Sequence, residues 1–385
     1  MQKVIYLDYN ATTPVDPRVL EVMIPYFSTH FGNPSGNSHS QSWMTAAAVK
    51  KSRSQVANLI HADPSEIIFT SGATESINLA IKGVLLKSSK TKLITSNIEH
   101  AAGHEIAKWT KNKGFKVQTL NVQKNGLIDL NQLEPELAKN NSDSIEKVDT
   151  ILVSLILAHN EIGSLYNLED LALLKSKYNF ILHLDATQAL LTEEINVHEY
   201  NIDLMSFSAH KIYGPKGVGA LFLNKKTVGH QIEPLIIGGG QEFGLRSGTL
   251  NVPGIVGLGE ACDVVQQNRT KDSHHYLHLS QFLLKLLSEK NIEFKLNGDS
   301  KQRIFHNISI TLPEAFSSKD LMSELHGFCL SQGSACGSGK VGPNQTLKAI
   351  GLNESEMQRT LRIGLGRSTE QKDLELFVDR LSSIV

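Results

Sequence analysis

One lysine of this 385-residue chain, Lys211, lies where a side-chain amine could form a covalent bond with a carbonyl carbon. The apolar run 204–207 predicts a short buried strand, and the polar segment after it turns at 214–215 before a second strand, 217–223. An amine partly desolvated at a strand end has a lowered pKa, which lets it form a Schiff base with an aldehyde. Taken alone, the same pattern also fits an exposed lysine in a turn.

A carboxylate and an anion-binding turn follow two other predicted strands. Asp185 ends the apolar run 180–185, where a carboxylate can keep the ring nitrogen of a bound heterocycle protonated. The segment 71–76, Ser-Gly-Ala-Thr-Glu-Ser, follows a strand predicted at 66–70 and opens a helix, whose first backbone N–H groups can hold a phosphate. Amine, carboxylate and phosphate cup together make a site for pyridoxal 5'-phosphate (PLP).

Strands and helices alternate through the first two thirds of the chain, and this alternation predicts the fold that positions those groups. After a helix at 40–59, strands are predicted at 66–70, 92–96, 116–120, 150–157 and 180–185, with helices between them. Such alternation gives an α/β fold with a mainly parallel sheet covered by helices on both faces. We therefore expect a ligand at the carboxyl ends of the strands.

The last third of the chain predicts a smaller α+β domain. Its predicted elements are a helix at 252–267 that enters it near Ala261, strands at 306–312 and 361–365, and helices at 319–327 and 370–384. We divide the chain into a large cofactor-binding domain, residues 15–261, and a small domain formed by residues 1–14 and 262–385.

The composition predicts a soluble, enzyme-sized protein, with 40% hydrophobic and 20% charged residues. A formal net charge of -1 argues against direct nucleic-acid binding by a basic surface. The three cysteines are widely spaced and odd in number, so they predict no disulfide framework, and no metal site is expected. No signal peptide or apolar run of membrane-spanning length is evident, and we expect a reducing, cytoplasmic setting without membrane contact.

Nine short motifs, in one order along nearly the whole chain, resemble those of the cysteine desulfurases of the NifS/IscS type. They are Leu7-Asp-Tyr-Asn-Ala-Thr-Thr13, Phe31-Gly-Asn-Pro-Ser35, Gly72-Ala-Thr-Glu75, Glu99-His100, Asn160-Glu-Ile-Gly163, His183-Leu-Asp-Ala-Thr-Gln188, Ser208-Ala-His-Lys-Ile-Tyr-Gly214, Arg246-Ser-Gly-Thr249 and Gly333-Ser-Ala-Cys336. The resemblance implies a homodimeric, PLP-dependent transferase of fold-type I, the class V aminotransferase-like fold, with a large mainly parallel-sheet α/β domain and a smaller α+β domain. The implied reaction takes sulfur from L-cysteine and leaves L-alanine and a persulfide on Cys336.

The same resemblance implies the ligands of PLP. Lys211 would carry the cofactor, Asp185 would pair with the ring nitrogen, and His100 would stack on the ring and share in proton transfer. The further implied cofactor contacts are Ala73, Thr74, Asn160, Gln188, Ser208, His210 and, across the dimer interface, Thr249. The residues directly after His100, Ala-Ala-Gly, depart from the family pattern, and His104, one turn later, is an alternative that could be mistaken for His100.

An arginine suits a substrate with an α-carboxylate, because a guanidinium binds a carboxylate in a bidentate fork. Arg362, in the strand predicted at 361–365, is that residue by resemblance, and Arg367 is the nearest alternative. The resemblance gives Asn160 a second contact to the carboxylate and places Asn33 beside the substrate, although Asn33 equally fits an ordinary loop.

Cys336 is the predicted nucleophile. Its surroundings, residues 331–342, are so rich in Gly and Ser that we expect an exposed, mobile loop, and Lys340 would favour the thiolate. Cys262 and Cys329 fall in a predicted helix and strand, where cysteine behaves as a small hydrophobe. Gly337 stands where the family usually has Thr.

The resemblance also implies a sulfur-acceptor protein, either an iron–sulfur scaffold or a tRNA-thiolation protein. Two other interpretations stay open at this point. One is a selenocysteine lyase or related PLP aminotransferase with the same cofactor site, and the other is a partner-binding subunit that has kept the fold. The presence of Lys211, Asp185, His100 and Cys336 together argues against the second of these.

Overall fold

The computed structural model describes residues 4–87, 90–139, 148–229, 232–316, 320–332 and 344–384. The strands are β1 (Ile5–Tyr6), β2 (Ile67–Thr70), β3 (Thr91–Ser96), β4 (Lys116–Leu120), β5 (Thr150–Ile156), β6 (Ile181–Asp185), β7 (Leu204–Ser208), β8 (Gly219–Leu223), β9 (Lys295–Leu296), β10 (Asn307–Thr311), β11 (Phe328–Cys329) and β12 (Thr360–Gly364). The helices are α1 (Pro17–Met23), α2 (Pro25–Ser28), α3 (Ser40–Leu59), α4 (Ala73–Lys87), α5 (Ala101–Asn112), α6 (Leu130–Ala138), α7 (Leu168–Lys177), α8 (Val252–Glu289), α9 (Leu321–Glu324), α10 (Gln345–Ala349), α11 (Glu354–Gln358) and α12 (Gln371–Ser382).

The largest sheet has the described strands in the order β2-β8-β7-β6-β5-β3-β4. The strands from β4 to β7 are parallel, and β8 runs antiparallel to both of its neighbours, β7 and β2. The carboxyl ends of β2, β3, β5, β6 and β7 therefore meet at one edge of the sheet. The mainly parallel α/β sheet predicted from the alternation of elements is confirmed.

Apolar side chains on both faces of this sheet explain why its strands read as continuous hydrophobic runs. Successive residues of a strand point to opposite faces. Leu152 and Leu204 pack on one side with residues of α4 and α5, whereas Val153 and Met205, one position later, belong to the larger cluster on the other side. A sheet buried on both faces needs this pattern, because helices cover each side.

Residues 17–28 form two helices, α1 and α2, because Pro25 lacks the N–H that would continue the ladder. The helix predicted to end at 267 continues as α8 to Glu289. Its buried residues Tyr276, Leu279 and Leu283 keep the helical spacing of an apolar stripe. The helix predicted at 319–327 is shortened to α9.

The first strand pairs with elements from the end of the chain. β1 lies parallel to β11, and the Leu7 N–H donates to the Cys329 carbonyl at 2.9 Å, while the Gly364 N–H donates to the Leu7 carbonyl at 2.7 Å. β10 lies between β9 and β12 in an antiparallel sheet. The division of domains at residues 14 and 261 stays a prediction, since α8 passes through residue 261 without a break. Within the described ranges, no helix combines the length and apolar character needed to cross a bilayer.

Candidate active site

A cleft of about 360 Å³ opens at the carboxyl edge of the large sheet. The residues that line it come from the ends of β2, β5, β6 and β7, from the start of α5, from the N-terminal segment and from β12. The predicted ligands among them are Ala73, Thr74, His100, Asn160, Asp185, Gln188, Ser208, His210, Lys211 and Arg362. The fold thus brings ten residues of one predicted site together, as expected for the carboxyl ends of parallel strands.

Lys211 ends a single 3-10 turn, Ala209–Lys211, that follows β7 directly. Its Nζ donates to the carbonyl oxygens of Asn10, at 2.5 Å, and Ala11, at 2.6 Å. The N-terminal segment is itself held in place by Gln188, whose side chain accepts from Asn10 Nδ2 at 3.2 Å and donates to the Asn10 carbonyl at 3.0 Å. Two neutral acceptors thus hold the lysine amine at the wall of the cleft.

Asp185 is the last residue of β6 and is buried. Its Oδ1 accepts from the Thr187 backbone N–H at 3.0 Å and from the Thr187 hydroxyl at 2.5 Å, so the carboxylate has a fixed orientation. Burial raises the pKa of the neighbouring Glu99 carboxyl to about 8; the charge of Asp185 adds to this rise, and the hydrogen bond from Ser96 opposes it. Glu99 is therefore mostly protonated at pH 7 and adds little negative charge beside Asp185.

The turn between β2 and α4 forms an anion-binding cup. Gly72 has φ 149°, a conformation that favours glycine. Gly219 allows the turn to approach closely, because a Cβ there would lie 2.5 Å from the Phe207 carbonyl oxygen and 2.7 Å from the Gly72 Cα. The first N–H groups of α4, which have no intrahelical acceptor, belong to Ala73 and Thr74 at the cleft. Such an N-terminus suits a phosphate.

An ion pair that the sequence did not reveal neutralises a carboxylate beside this cup. Glu75 lines the cleft, and its Oε1 accepts from Arg246 Nε at 2.9 Å, while its Oε2 accepts from the Ser71 N–H at 2.8 Å. Burial raises the pKa of Glu75, but the hydrogen bonds from Arg246 and Ser71 outweigh it and leave the pKa below its ordinary value. Because Arg246 neutralises its charge, Glu75 does not repel an anion bound at the cup.

The two histidines of the predicted site make different hydrogen bonds. His210 Nδ1 lies 3.1 Å from the Thr12 hydroxyl, and burial, helped by the charge of Lys211, lowers the pKa of His210 to about 4, so its imidazole is neutral at pH 7. His100 caps α5, with its Nδ1 accepting from the Ala102 N–H at 3.2 Å. An accepting Nδ1 leaves Nε2 as the protonated nitrogen of the neutral ring. His104, the alternative to His100, does not line the cleft.

Arg362 and Asn160 form the polar wall where a carboxylate could bind. Arg362 is 1% exposed; its Nη2 donates to Asp8 Oδ1 at 2.7 Å and to Ser331 Oγ at 3.1 Å, and its Nη1 donates to the Asn160 carbonyl at 3.1 Å. Within the described part of the chain, Arg362 Nε and Asn160 Oδ1 are buried without a hydrogen-bond partner. Buried polar atoms are rarely left unpaired, and so these two fit a polar ligand in the cleft.

Arg367, the alternative to Arg362, is not part of this wall. Its Nε donates to Asp272 at 2.7 Å and its Nη1 to Asp16 at 3.2 Å, and it does not line the cleft. Its Nε and Nη1 are thus directed at carboxylates of the protein, although its Nη2 is buried without a hydrogen-bond partner among the described residues. The geometry favours Arg362 as the substrate-facing arginine.

Two predicted site residues, Asn33 and Thr249, do not line the cleft, and a third is not described by the structure. Asn33 is exposed, and its side chain accepts from the Ser35 N–H of its own loop at 3.0 Å. Thr249 is exposed on this chain, as a contact with a second copy would require. Cys336, with Gly337 and Lys340, lies outside the described residues. The roles of all three predicted residues stay predictions.

Sequence reasoning missed several residues of the cleft. These are Asn10, Ala11, Thr12, Glu75, Thr187, Lys216 and Gly217. Asn10, Ala11 and Thr12 belong to the motif that begins at Leu7, which was the sequence signal available for them. The motif itself does not indicate that its carbonyl groups accept hydrogen bonds from Lys211.

Sequence and structure comparisons identify similar proteins. The family described as "Aminotransferase class-V" matches residues 5–377. The proteins named "Cysteine desulfurase IscS" from Rickettsia massiliae (strain Mtu5) and Rickettsia prowazekii (strain Madrid E) are each 40% identical to this chain over 381 residues, 98% of this chain and 90% of the relative. A solved structure described as "NifS-like protein" matches with a TM-score of 0.86 and 33% identity over 99% of both chains. Another, "SspA in complex with cysteine", has a TM-score of 0.80 and 36% identity over 94% of this chain and 98% of its own.

Proposed function

We propose a role in the reaction for each chemical group in the cleft of this chain, which belongs to the aminotransferase class-V family and is a cysteine desulfurase. The observation that carries the proposal is the convergence of an amine, an oriented carboxylate, an anion cup and a buried arginine in one cleft. Each of these groups matches one part of PLP or of an amino acid substrate.

The family implies PLP, and the cleft residues fit it. Lys211 would hold the aldehyde carbon, Asp185 the ring nitrogen, and the N-terminus of α4 with Ser208 the phosphate. His100 would lie against the ring, and Asn160 Oδ1, which has no hydrogen-bond partner among the described residues, offers a further polar contact. When bound, PLP supplies an electron sink for the substrate Cα.

The substrate is L-cysteine, and its carboxylate would bind Arg362 and Asn160. Arg362 Nε has no hydrogen-bond partner among the described residues, which supports this assignment, because a guanidinium with a spare donor can bind the carboxylate without giving up Asp8. The amine of Lys211 would be released when the substrate binds. Lys211 would then accept the Cα proton at Nζ and return it, as a general base and acid.

We assign the sulfur-accepting thiol to Cys336 from its sequence context. Its thiolate would form a bond to the substrate sulfur as the substrate Cβ–S bond breaks, and the electron pair of that bond would remain on Cβ, which takes a proton. The products are L-alanine and a Cys336 persulfide, and no external oxidant is needed. Cys262 is unsuited to this role, because burial raises the pKa of its thiol, and Cys329 is half-buried in β11.

A Cys336→Ser variant tests this assignment. We expect it to bind PLP and to exchange the Cα hydrogen of L-alanine with D2O, but to form no alanine from L-cysteine. In the wild type, alkylation after incubation with L-cysteine should label a persulfide on the peptide of Cys336 and not on those of Cys262 and Cys329. If the serine variant forms alanine at a rate comparable to the wild type, Cys336 is not the nucleophile, and a lyase mechanism replaces it.

A homodimer would complete the site, with Thr249 reaching the phosphate bound by the partner subunit. Large exposed apolar side chains support an interface between copies. They include Ile237 (85%) and Phe243 (57%), which precede Thr249 in the sequence, and Phe27 (66%) and Phe31 (71%), near the start of the chain. The molecular mass in solution checks this expectation, and a monomer that is fully active would contradict it.

The persulfide sulfur would pass to an acceptor protein in a reducing, cytoplasmic setting. By the family resemblance, this acceptor is an iron–sulfur scaffold or a tRNA-thiolation protein. The two described cysteines, Cys262 and Cys329, are free thiols, which supports a reducing setting. Transfer of labelled sulfur from L-cysteine to each purified candidate acceptor would distinguish the two.

A further inference from the structure

Glu161 is a buried carboxylate that the proposed mechanism does not use, although it directly follows Asn160. Its Oε2 accepts from Asn344 Nδ2 at 2.5 Å, and its Oε1 accepts from Thr346 Oγ1 at 3.0 Å. Asn344 is the N-cap of α10, and Thr346 lies in the first turn of that helix. A single carboxylate therefore binds the start of α10 to the segment that follows β5.

The orientation of Asn344 is fixed by a second hydrogen bond. Its Oδ1 accepts from the Leu347 N–H at 2.9 Å, so the amide can rotate only by losing the helix cap. Its Nδ2 is consequently the atom that faces Glu161. A charge-assisted hydrogen bond of this kind is roughly twice as strong as a neutral one.

The other side of Glu161 is equally constrained. Its backbone N–H donates to His159 Nδ1 at 3.1 Å, and His159 Nε2 lies 2.6 Å from the Ile98 carbonyl, to which it donates. Burial lowers the pKa of His159, and the imidazole is held neutral in this one tautomer. The segment 159–161 is thus held against the turn before α5, with Asn160 at the cleft and Glu161 at α10.

We propose that Glu161 is a positioning residue for sulfur transfer, which fixes the start of α10 relative to the substrate contacts Asn160 and Arg362. The inference rests on the proposed function of Cys336. In the sequence, residues 337–343 join Cys336 to Asn344, so the segment that carries the thiol rejoins the described structure at the start of α10. Because placement of a reacting group contributes to a reaction rate, loss of this anchor is expected to slow the transfer step.

The test compares Glu161→Ala with Glu161→Gln in PLP-loaded protein. Alanine removes both hydrogen bonds, whereas glutamine can accept from Asn344 with its oxygen and donate to Thr346 with its nitrogen, because the threonine hydroxyl can rotate to accept. Persulfide formation on Cys336 is measured in a single turnover by alkylation and mass spectrometry. Exchange of the L-alanine Cα hydrogen with D2O is measured in parallel, since it requires the cofactor site but not Cys336.

We expect Glu161→Ala to slow persulfide formation by about 10- to 100-fold, with hydrogen exchange within about twofold of wild type, and Glu161→Gln to restore most of the rate. Thr346→Val, which removes one hydrogen bond at nearly constant volume, should give an intermediate loss and serves if Glu161→Ala folds poorly. The inference is overturned if neither Glu161→Ala nor Thr346→Val slows persulfide formation. It is also overturned if exchange falls in parallel with persulfide formation, because Glu161 then has only a structural role. A wild type that makes alanine without modifying Cys336 would instead refute the proposed nucleophile.

Discussion

Replacing Arg362 by lysine tests whether its guanidinium binds the carboxylate of the substrate. The native side chain is 1% exposed and donates hydrogen bonds to Asp8, Ser331 and the Asn160 carbonyl, with Nε left for a ligand. Lysine keeps the positive charge, so Asp8 keeps a cationic partner. A single ammonium cannot reproduce the planar fork of the guanidinium, however, and cannot reach all of these acceptors and a substrate carboxylate together.

The magnitude follows from the hydrogen bond that is lost. A hydrogen bond to a charged group contributes about 1.5–3 kcal/mol, which corresponds to a decrease of about 10- to 150-fold in kcat/KM. We therefore expect Arg362→Lys to lower kcat/KM for L-cysteine by this factor. Arg362→Ala is a poorer probe, because it leaves the carboxylate of Asp8 without its charge partner, a change that costs about 3 kcal/mol of stability.

Cysteamine, which is cysteine without the carboxylate, provides the discriminating assay. The quantity to measure is the ratio of kcat/KM for L-cysteine to that for cysteamine, with sulfide released by a reductant as the readout. Arg362→Lys should lower this ratio, because only L-cysteine loses an interaction. Arg367→Lys is the matched control, since Arg367 is paired with Asp16 and Asp272 outside the cleft, and its ratio should equal that of the wild type. An Arg362→Lys variant that loses both activities in proportion would refute the assignment.

Three further predictions concern the cofactor and the carboxyl groups beside it. Borohydride reduction of the PLP-loaded protein should attach the cofactor to the peptide that contains Lys211, and the Lys211→Ala variant should show no such attachment. Labelling of Lys216, which also lines the cleft, would contradict the assignment. Asp185→Asn keeps an oxygen for the two hydrogen bonds from Thr187 and should therefore retain PLP. It should lower kcat by more than about tenfold, or 1.4 kcal/mol of barrier. A smaller loss would argue against a role of Asp185 in keeping the ring nitrogen protonated. Glu99 has its pKa raised by burial from 4.5 to about 8, and the folded protein therefore holds a proton that the unfolded chain releases. The free energy of unfolding should therefore fall as the pH rises from 4.5 to about 8. Urea unfolding across that range should show a smaller fall in the Glu99→Gln variant than in the wild type. If the free energy of unfolding depends on pH equally in both proteins, Glu99 does not carry this proton.

Local sequence patterns predicted the elements that carry the chemistry with good accuracy. The bounds of α3 agree with prediction at both ends, and Asp185 and Lys211 lie at or directly after strand ends, as expected. Hydrophobic runs report burial, and Gly and polar residues after them report turns. In a parallel sheet these two signals are enough to place a site, because the carboxyl ends of its strands lie along one edge.

The length of α8 shows where such patterns fail. The sequence pattern predicts a helix over 252–267, whereas α8 continues to Glu289 through a polar segment that begins at residue 266. Tertiary contacts decide otherwise, since Tyr276 and Leu283 are fully buried in the core. Packing against the rest of the protein stabilises a helix that its local composition only weakly favours.

The sequence by itself determined the order of the strands and helices, the chemical types at the strand ends and the likeness to a family. Only the tertiary structure showed that the carbonyls of Asn10 and Ala11 hold Lys211, that Glu75 pairs with Arg246, and that Glu161 binds the start of α10. The physical reason is that propensity and periodicity act over a few residues, whereas these hydrogen bonds join atoms far apart in the chain. Their partners are selected by how helices and strands pack, and no pattern local to either partner records that choice.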